Sequence, residues 1–438
     1  MTNAPLLTAA VDAFKIPDLR RKLLFTLAML VGFRFIAHIP VPGADVAALQ
    51  RVFETNQLAG FFDLFSGGAL SSLSIAALGV YPYITAQIIM QIMQPVIPRL
   101  QEIGREGESG RMKINQWTHW LTVPLAAVQA YGTPNLINIT TGGTPIIRDF
   151  GFDVNPLGTL AIIVSMVAGT MLLIWVGELI TQYGVGQGIS IIIFGGILAR
   201  LPFKLFQAFA AEVNFVQLFL FAIVALVTIV AIIYVYEGQR RIPVQISKQI
   251  RGNRVMGGGT THIPLKVNSA GMIPLIFASS MLLLPSVLAS YLVSNENPWI
   301  SGPATWVYST FNAGTSPVYW TLYFVMVVAF TFFYAMVMFQ QQNIAESLQR
   351  QNGFIPGIRP GKPTDVYLSN VLIRITVAGA LFLGIVAVLP FVVRSFTGFQ
   401  TLTVQSTALL IVVGVALDTM RQLEAQLIMR NYRGFISR

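Results

Sequence analysis

The chain has 438 residues, of which 54% are hydrophobic and 11% charged, with a mean hydropathy of +0.67 and a net charge of +10. Soluble domains carry about a quarter charged residues, so this composition excludes an ordinary soluble domain and indicates a polytopic membrane protein. The absence of cysteine excludes disulfides and thiolate metal sites.

The N-terminal segment, residues 1–22, is predicted to be a cytoplasmic amphipathic segment. The start of the chain, "MTNAPLLTAAVDAFKIPDLRRKLL" (residues 1–24), has no basic stretch ahead of an apolar core, so no cleavable signal peptide is predicted. The stretch Leu6–Phe14, followed by Lys15 and Arg20, has the pattern of a helix that lies in the membrane interface.

Apolar runs with little or no charge predict ten membrane spans. The fifth is short and interrupted by glycines, and residues 61–74 are so rich in Gly, Ser and Ala that we predict a half-helix there instead of a span. The ten spans lie near residues 23–39, 75–95, 117–136, 157–177, 186–206, 215–236, 270–292, 318–340, 371–392 and 404–427.

Basic residues fix the predicted orientation, because Lys and Arg collect on the cytoplasmic side of membrane proteins. With ten spans, 22 basic residues fall on one side of the membrane and five on the other, while Arg34 lies within span 1. Both termini are therefore predicted to be cytoplasmic.

A short internal repeat links spans 2 and 7. Both contain G-x-x-P-x-I, formed by Gly79, Pro82 and Ile84 in the first copy and by Gly271, Pro274 and Ile276 in the second. The copies lie five spans apart, so the second copy of a five-span unit would enter the membrane inverted, and inverted repeats place a site at their interface. The alternative is coincidence, since Gly and Pro are common in membrane helices.

One face of span 2 is apolar in its middle and lined by amides towards the cytoplasm. Helical spacing places Val80, Ile84, Gln87, Gln91 and Gln94 on that face. Amides facing lipid would stay unpaired at a high cost, so this pattern favours an apolar constriction that opens into a wet funnel. The alternative is that the glutamines bond to neighbouring helices. The half-helix before span 2 suits either a movable stopper or a plain re-entrant loop.

The sequence lacks the residues that several classes of function require. If Glu178, Glu237, Lys266 and Asp418 lie at the ends of their spans, spans 2–10 carry no charged residue near their centres, which argues against an ion-driven carrier. The three histidines are far apart in the sequence and form no metal motif, and no nucleophile or phosphate-binding motif occurs in a suitable context. We therefore predict no enzymatic activity, no cofactor and no metal site.

Two predicted cytoplasmic loops, 237–268 and 339–370, are longer than orientation requires. Their arginines suit an acidic partner, including RNA phosphates, and Arg359 stands in the turn "PGIRPG", where prolines restrict the backbone. The alternative is that these arginines are simply solvated.

The chain resembles the SecY family of protein-conducting channels over nearly its whole length. The matching stretches are "FSGGALSSLSIAALGVYPYI", "EGESGR", "GQGISIIIFGGI", "THIPLKVNSAGMIPLIFASS", "NGFIPGIRPG" and "STALLIVVGVALD". The resemblance implies an all-α polytopic membrane protein with ten transmembrane helices in two inverted five-helix halves around a central pore, with a plug half-helix. The implied halves are 23–206 and 207–427, and residues 428–438 form a cytoplasmic tail.

The resemblance also implies roles for individual residues. The pore ring is expected to consist of Val80, Ile84, Ile189, Ile193, Ile276 and Ile411. The plug corresponds to Phe61, Phe62, Asp63, Leu64, Phe65, Ser66, Gly67, Gly68, Ala69, Leu70, Ser71 and Ser72. A lateral gate between spans 2–3 and spans 7–8 is expected to include Gln87, Gln91, Gln94, Ser279 and Ser280. The docking surface for a motor or ribosome is expected to include Arg240, Arg241, Arg251, Arg254 and Arg359.

The resemblance implies a passive channel that translocates unfolded secretory polypeptides and releases signal sequences and transmembrane helices sideways into lipid. The implied partners are SecE- and SecG-like membrane subunits, the SecA motor ATPase, the ribosome through its RNA, signal peptides, nascent polypeptides and the lipid bilayer, in a bacterial plasma membrane. From the residues alone, a small-solute carrier and an assembly scaffold without a pore remain alternatives.

Overall fold

The computed structural model describes residues 16–44, 66–140, 147, 150–210, 215–246, 249–251, 254–256, 259–293, 297–311, 316–397 and 406–436. Within these residues the chain forms thirteen α-helices and five short strands. The helices of the N-terminal part are α1 (Pro17–Ile36), α2 (Tyr81–Val96), α3 (Pro98–Arg105), α4 (Glu108–Thr140), α5 (Pro156–Tyr183), α6 (Gly188–Ala210) and α7 (Phe215–Glu237). Those that follow are α8 (Ile273–Val293), α9 (Pro298–Thr310), α10 (Pro317–Gln342), α11 (Ile344–Arg350), α12 (Lys362–Thr397) and α13 (Ser406–Ile436).

Each of the ten predicted spans coincides with a helix, namely α1, α2, α4, α5, α6, α7, α8, α10, α12 and α13. Within the described residues, three stretches are long and apolar enough to cross a membrane by themselves: Pro156–Tyr183, Pro317–Arg350 and Lys362–Val393.

Span 2 begins later than predicted, because α2 starts at Tyr81 and has only 16 residues. The residues before it, Ser66–Val80, form a series of turns. The described part of the predicted half-helix is therefore irregular. Gly67 and Gly68 have φ angles of +65° and +95°. Such positive φ angles do not occur in a right-handed helix, and glycine adopts them without steric cost.

The chain divides into two compact units. The first comprises Met1–Val213, Leu284–Ser316 and Ile411–Arg438, and the second comprises Asn214–Leu283 and Pro317–Leu410. The first unit contains α1–α6, and the second contains α7, α10–α12 and the strands.

Close contacts at glycines hold the first unit together. A Cβ added to Gly169 of α5 would overlap the carbonyl oxygen of Ile75, so α5 packs directly against the backbone of the turns before α2. A Cβ at Gly188 would likewise overlap the carbonyl oxygen of Gly177, where α5 and α6 meet. Small residues permit such approaches in membrane proteins, and here they position the start of α2 and of α6.

The second unit carries a small sheet that the sequence analysis did not predict. Strands β1 (Gln239–Ile246), β4 (Gly259–Lys266) and β5 (Gly353–Phe354) lie in the order β4-β1-β5, and β2 (Gln249–Arg251) pairs with β3 (Arg254–Met256). Both pairings of β1 are antiparallel, with Gln239 opposite Lys266 and Gln245 opposite Phe354. One face of the sheet contributes Ile242, Val244 and Leu265 to an apolar cluster. The other buried members of that cluster are Phe339, Ile355, Leu368, Val371 and Leu372.

We expect Gly169→Ala to lower Tm by several degrees, because its methyl group would meet a backbone carbonyl and overpacking costs about 1–3 kcal/mol. Gly302→Ala in α9 is the control, since a Cβ there has no atom within 4 Å. Thermal unfolding of both variants in detergent, followed by tryptophan fluorescence, checks the difference. Equal Tm values for the two variants would contradict the close packing of α5.

Candidate pore and docking surface

Five of the six aliphatic residues assigned to the pore ring are buried. In the first unit Val80, Ile84, Ile193 and Ile411 are at most 8% exposed, and in the second unit Ile276 is 6% exposed. Ile189 is half-buried, and its Cγ1 lies 3.0 Å from the position that a Cβ on Gly177 would occupy. Five of the six side chains therefore avoid the surface that would meet lipid.

The G-x-x-P-x-I repeat builds the same local structure twice. Gly79 and Gly271 have φ angles of +58° and +65°, and each stands two residues before a helix. The proline of each copy is the second residue of its helix, where its missing N–H costs nothing, and the isoleucine is the fourth residue and is buried. This likeness supports a structural repeat and weakens the alternative of coincidence.

The glutamine face of α2 is mixed in character. Gln87, Gln91 and Gln94 are all half-buried. The Gln94 side chain lies against Gly104 of α3, as the packing alternative supposed. The Gln91 Oε1 atom is buried and has no hydrogen-bond partner among the described residues, and a buried amide oxygen without a protein donor favours water beside it.

The residues assigned to the plug are described from Ser66 onwards, while Phe61, Phe62, Asp63, Leu64 and Phe65 lie outside the described residues. Ser66, Ala69 and Leu70 are at most 3% exposed. Ser72 Oγ donates a hydrogen bond of 3.0 Å to the carbonyl oxygen of Ala37, just after α1. This irregular segment is therefore enclosed by protein, as irregular backbone at membrane depth must be.

The apolar side of this segment joins a core of the first unit. Leu70 and Leu73 pack in a cluster with residues of α4 and α5. Its buried members are Val41, Leu70, Leu73, Ala77, Leu78, Ala126, Ala130, Ile147, Ile162 and Met166. Burial of these side chains favours the seated position of the turns.

Arg34, near the end of α1, contacts the irregular segment Ser66–Val80. No role for it was predicted from the sequence. Its Nη1 atom donates to the carbonyl oxygen of Gly67 at 2.7 Å. Its Nη2 atom donates to the carbonyl oxygens of Gly195 and Gly196 in α6 at 3.2 and 2.8 Å. The signal in the sequence was a single arginine within an otherwise apolar span, which is a functional feature by default.

A polar cluster between α2, α4 and α5 was also missed. His119 Nε2 lies 3.0 Å from Glu178 Oε1, and the Tyr83 hydroxyl donates to Asn115 Oδ1 at 3.2 Å. A groove of about 430 Å³ runs along the cluster. No group of His, Asp and Glu suited to a metal ion occurs among the described residues.

Of the two serines assigned to the lateral gate, only Ser279 has a described side chain. Ser279 is 2% exposed, and its Oγ donates to the carbonyl oxygen of Ile276 at 2.9 Å. The side chain of Ser280 lies outside the described residues. Helix α8 packs on α10 through Phe277 and Phe330, whose ring centroids are 5.2 Å apart.

The two long loops meet in the sheet of the second unit, because β1 and β4 come from the first loop and β5 from the second. Arg240 and Arg241 are exposed on β1, and Arg359 is exposed in the turn after β5. Glycines with φ of +82° and +99° flank that turn at positions 357 and 361. Arg251 and Arg254 stand opposite each other in the β2–β3 hairpin.

Comparison with known proteins identifies this arrangement. The SecY family model matches residues 74–420. The chain belongs to the SecY family. Among its relatives is the protein translocase subunit SecY of Streptomyces galbus, which is 42% identical over 98% of this chain and 100% of the relative. The SecY subunits of Halalkalibacterium halodurans and Thermus thermophilus are 43% and 41% identical, over 97% and 99% of this chain and 98% of each relative.

Solved structures confirm the SecY fold. A protein-conducting channel matches with a TM-score of 0.64 at 16% identity, and a SecY structure concerned with its plug domain matches with 0.63 at 17%. Sec61 from a canine ribosome-channel complex matches with 0.62 at 16%. Each comparison covers 98% of both chains. The predicted helical, multi-pass fold with ten membrane helices is therefore confirmed, with the small sheet of the second unit as an addition to it, and the chain is a SecY-type translocase subunit.

Proposed function

We propose that this SecY-family chain is a passive channel that lets unfolded secretory polypeptides cross the membrane and releases signal sequences and transmembrane helices sideways into lipid. One observation carries the proposal: the irregular segment Ser66–Val80 is enclosed in the first unit directly ahead of the buried Ile84. Backbone of this kind at membrane depth is tolerated where it is buried in protein or lines a cavity, which suits a plug above a constriction.

We assign the constriction to the six aliphatic residues of the pore ring. Branched apolar side chains around a narrow waist exclude water and thereby block ions. They make no specific bonds, so a passing chain of any sequence displaces them at similar cost. Gln87, Gln91 and Gln94 then line the funnel below the waist, and together with Ser279 and Ser280 they are assigned to the lateral gate.

The proposal includes no enzymatic step. The sequence contains no nucleotide-binding motif in a suitable context. Translocation therefore takes its energy from a partner, either a SecA-like motor or the ribosome. The relatives' designation as translocase subunits agrees with this division of labour.

We assign the docking of these partners to the sheet of the second unit. Arg240, Arg241 and Arg359 are exposed there, and exposed arginines bind phosphates and carboxylates through paired donors. The same surface suits ribosomal RNA and the acidic groups of a motor, and the Sec61 structure was determined in a ribosome-channel complex. SecE- and SecG-like subunits complete the proposed assembly.

The proposed location is the bacterial plasma membrane with both termini in the cytoplasm, as the 22 basic residues on one side favour.

We retain the division into halves 23–206 and 207–427. The same helix start recurs at Gly79 and at Gly271, one in each half, which supports this division. Inverted repeats of this kind place their site at the interface of the two halves, near the midplane.

Crosslinking tests whether polypeptides pass the ring. The chain has no natural cysteine, so single cysteines at Ile84, Ile276 and Ile411 each give one reactive site. We expect a stalled secretory chain to crosslink to all three but not to a cysteine at Ile385, which is 58% exposed on α12. Crosslinks at Ile385 alone would instead favour an assembly scaffold without a pore.

Polar substitution tests the seal. We expect Ile84→Asn, Ile276→Asn and deletion of Phe61–Ser72 each to raise the resting ion conductance in planar bilayers. A change of roughly 1.4 kcal/mol in the cost of wetting the waist corresponds to about a tenfold rise. The matched control is Ile385→Asn, which makes the same change on an exposed face. Unchanged conductance in all three variants would refute the assignment of the gate.

Charge reversal tests the docking surface. Arg359 is exposed, so we expect Arg359→Glu to leave Tm nearly unchanged while it abolishes motor- or ribosome-dependent transport. Arg20→Glu on the exposed side of α1 is the control for the loss of an arginine elsewhere. Normal translocation by a well-expressed Arg359→Glu channel would count against the docking role.

A further inference from the structure

Arg34 is placed where a charge is expensive, near the end of an apolar helix and against buried turns. An ionised side chain at membrane depth persists when its hydrogen bonds are satisfied by protein or water. Here three backbone carbonyls accept from it: that of Gly67 in the plug segment, and those of Gly195 and Gly196 in α6. The guanidinium therefore bridges two elements that lie far apart in the sequence.

Glycines allow this bridge to form. The Cα atom of Gly67 is so close to Gly196 that a Cβ on Gly196 would overlap it. A Cβ on Gly67 would lie 2.7 Å from Phe33 Cζ and 2.9 Å from the Gly196 Cα. A Cβ on Gly195 would lie 2.7 Å from Leu30 Cδ2 of α1. The absence of side chains at these positions brings α1, α6 and the turn within reach of one guanidinium.

We propose that Arg34 is the positioning residue that seats the plug: its bond to the Gly67 carbonyl is the contact that must break before the plug segment leaves α6. This inference rests on the proposed function, in which residues 61–72 close the channel. Arginine suits the position because its planar fork presents several donors in fixed directions.

The three bonds differ in what happens to them when the plug moves. The bond to Gly67 breaks, whereas those to Gly195 and Gly196 join α1 to α6 and stay in place. Arg34 thus remains oriented by the wall of the channel and is ready to capture the returning turn. The other end of the segment is held separately, because Val41 N donates to the Leu73 carbonyl at 2.8 Å and Ile75 N to the Ile39 carbonyl at 3.0 Å. The segment is therefore hinged near Ser74 and latched at Gly67.

Accessibility of the plug tests the latch without any transport assay. Ser66 is 1% exposed, so Ser66→Cys in this cysteine-free chain reacts with a membrane-impermeant maleimide only when the turn leaves its seat. We expect Arg34→Leu to speed this labelling about tenfold, since it removes charge-assisted hydrogen bonds from the seated state. A cysteine at Ile180, which is also fully buried, should stay unreactive, which separates unlatching from general loosening.

Two further variants keep the test decisive if Arg34→Leu does not fold. Arg34→Lys should also label faster, because one ammonium group lacks the fork that joins the two elements. Gly196→Ala should do so by pushing Gly67 away, whereas Gly32→Ala on α1, where a Cβ has no atom within 4 Å, should not. Slow labelling in Arg34→Leu, or in both Arg34→Lys and Gly196→Ala, would overturn the latch.

Conductance separates this inference from the proposed function. If deletion of Phe61–Ser72 leaves the resting conductance unchanged, the segment is not a plug, and the plug of the proposed function fails together with the latch. If the deletion raises conductance while Arg34→Leu and Gly196→Ala behave like Gly32→Ala, the plug stands and the latch alone fails. A rise in all three, with Gly32→Ala unchanged, supports both.

Discussion

The structure of the first unit depends on one constraint: backbone groups at membrane depth need hydrogen-bond partners from the protein. Fifteen consecutive residues, Ser66–Val80, are outside any helix, and their polar groups cannot be left to lipid. The chain after α1 supplies partners through Ala37, Ile39 and Val41, Arg34 supplies a donor for Gly67, and Gly169 lets α5 close over Ile75. Each of these contacts is needed because the irregular segment cannot satisfy all of its own backbone hydrogen bonds.

The ten spans were predictable because a long apolar run is stable in a bilayer wherever it stands in the sequence. The start of α2 was not predictable in this way. Residues 75–80 are as apolar as the helix that follows, and hydropathy does not reveal backbone conformation. The glycine at position 79, with its φ of +58°, ends the turns there, and the proline at the second helical position fixes the start. The repeat motif contained this information, but its meaning became visible only in the conformation shared with Gly271.

Contacts between distant residues account for what the sequence did not show. Strand β5 pairs with β1 across about a hundred residues, from Phe354 to Gln245, and no local pattern announces that register. The same applies to Arg34, whose acceptors are 33, 161 and 162 residues away. An unpaired arginine in an apolar span indicated that partners must exist. It did not indicate whether they were carboxylates, water or backbone carbonyls.

The proposed polypeptide channel, with its proposed waist and plug, needs two kinds of contact with opposite properties. The waist must yield to any side chain, which calls for apolar contacts that have no direction and are individually weak, as buried valine and isoleucine provide. The plug must return to one place, which calls for directional bonds that restore the same geometry each time. The bridge from Arg34 to Gly67 has that property, because a charged donor with fixed geometry meets a single backbone carbonyl. On this proposal the plug segment returns to the same position each time, while the waist adapts to whichever side chains pass.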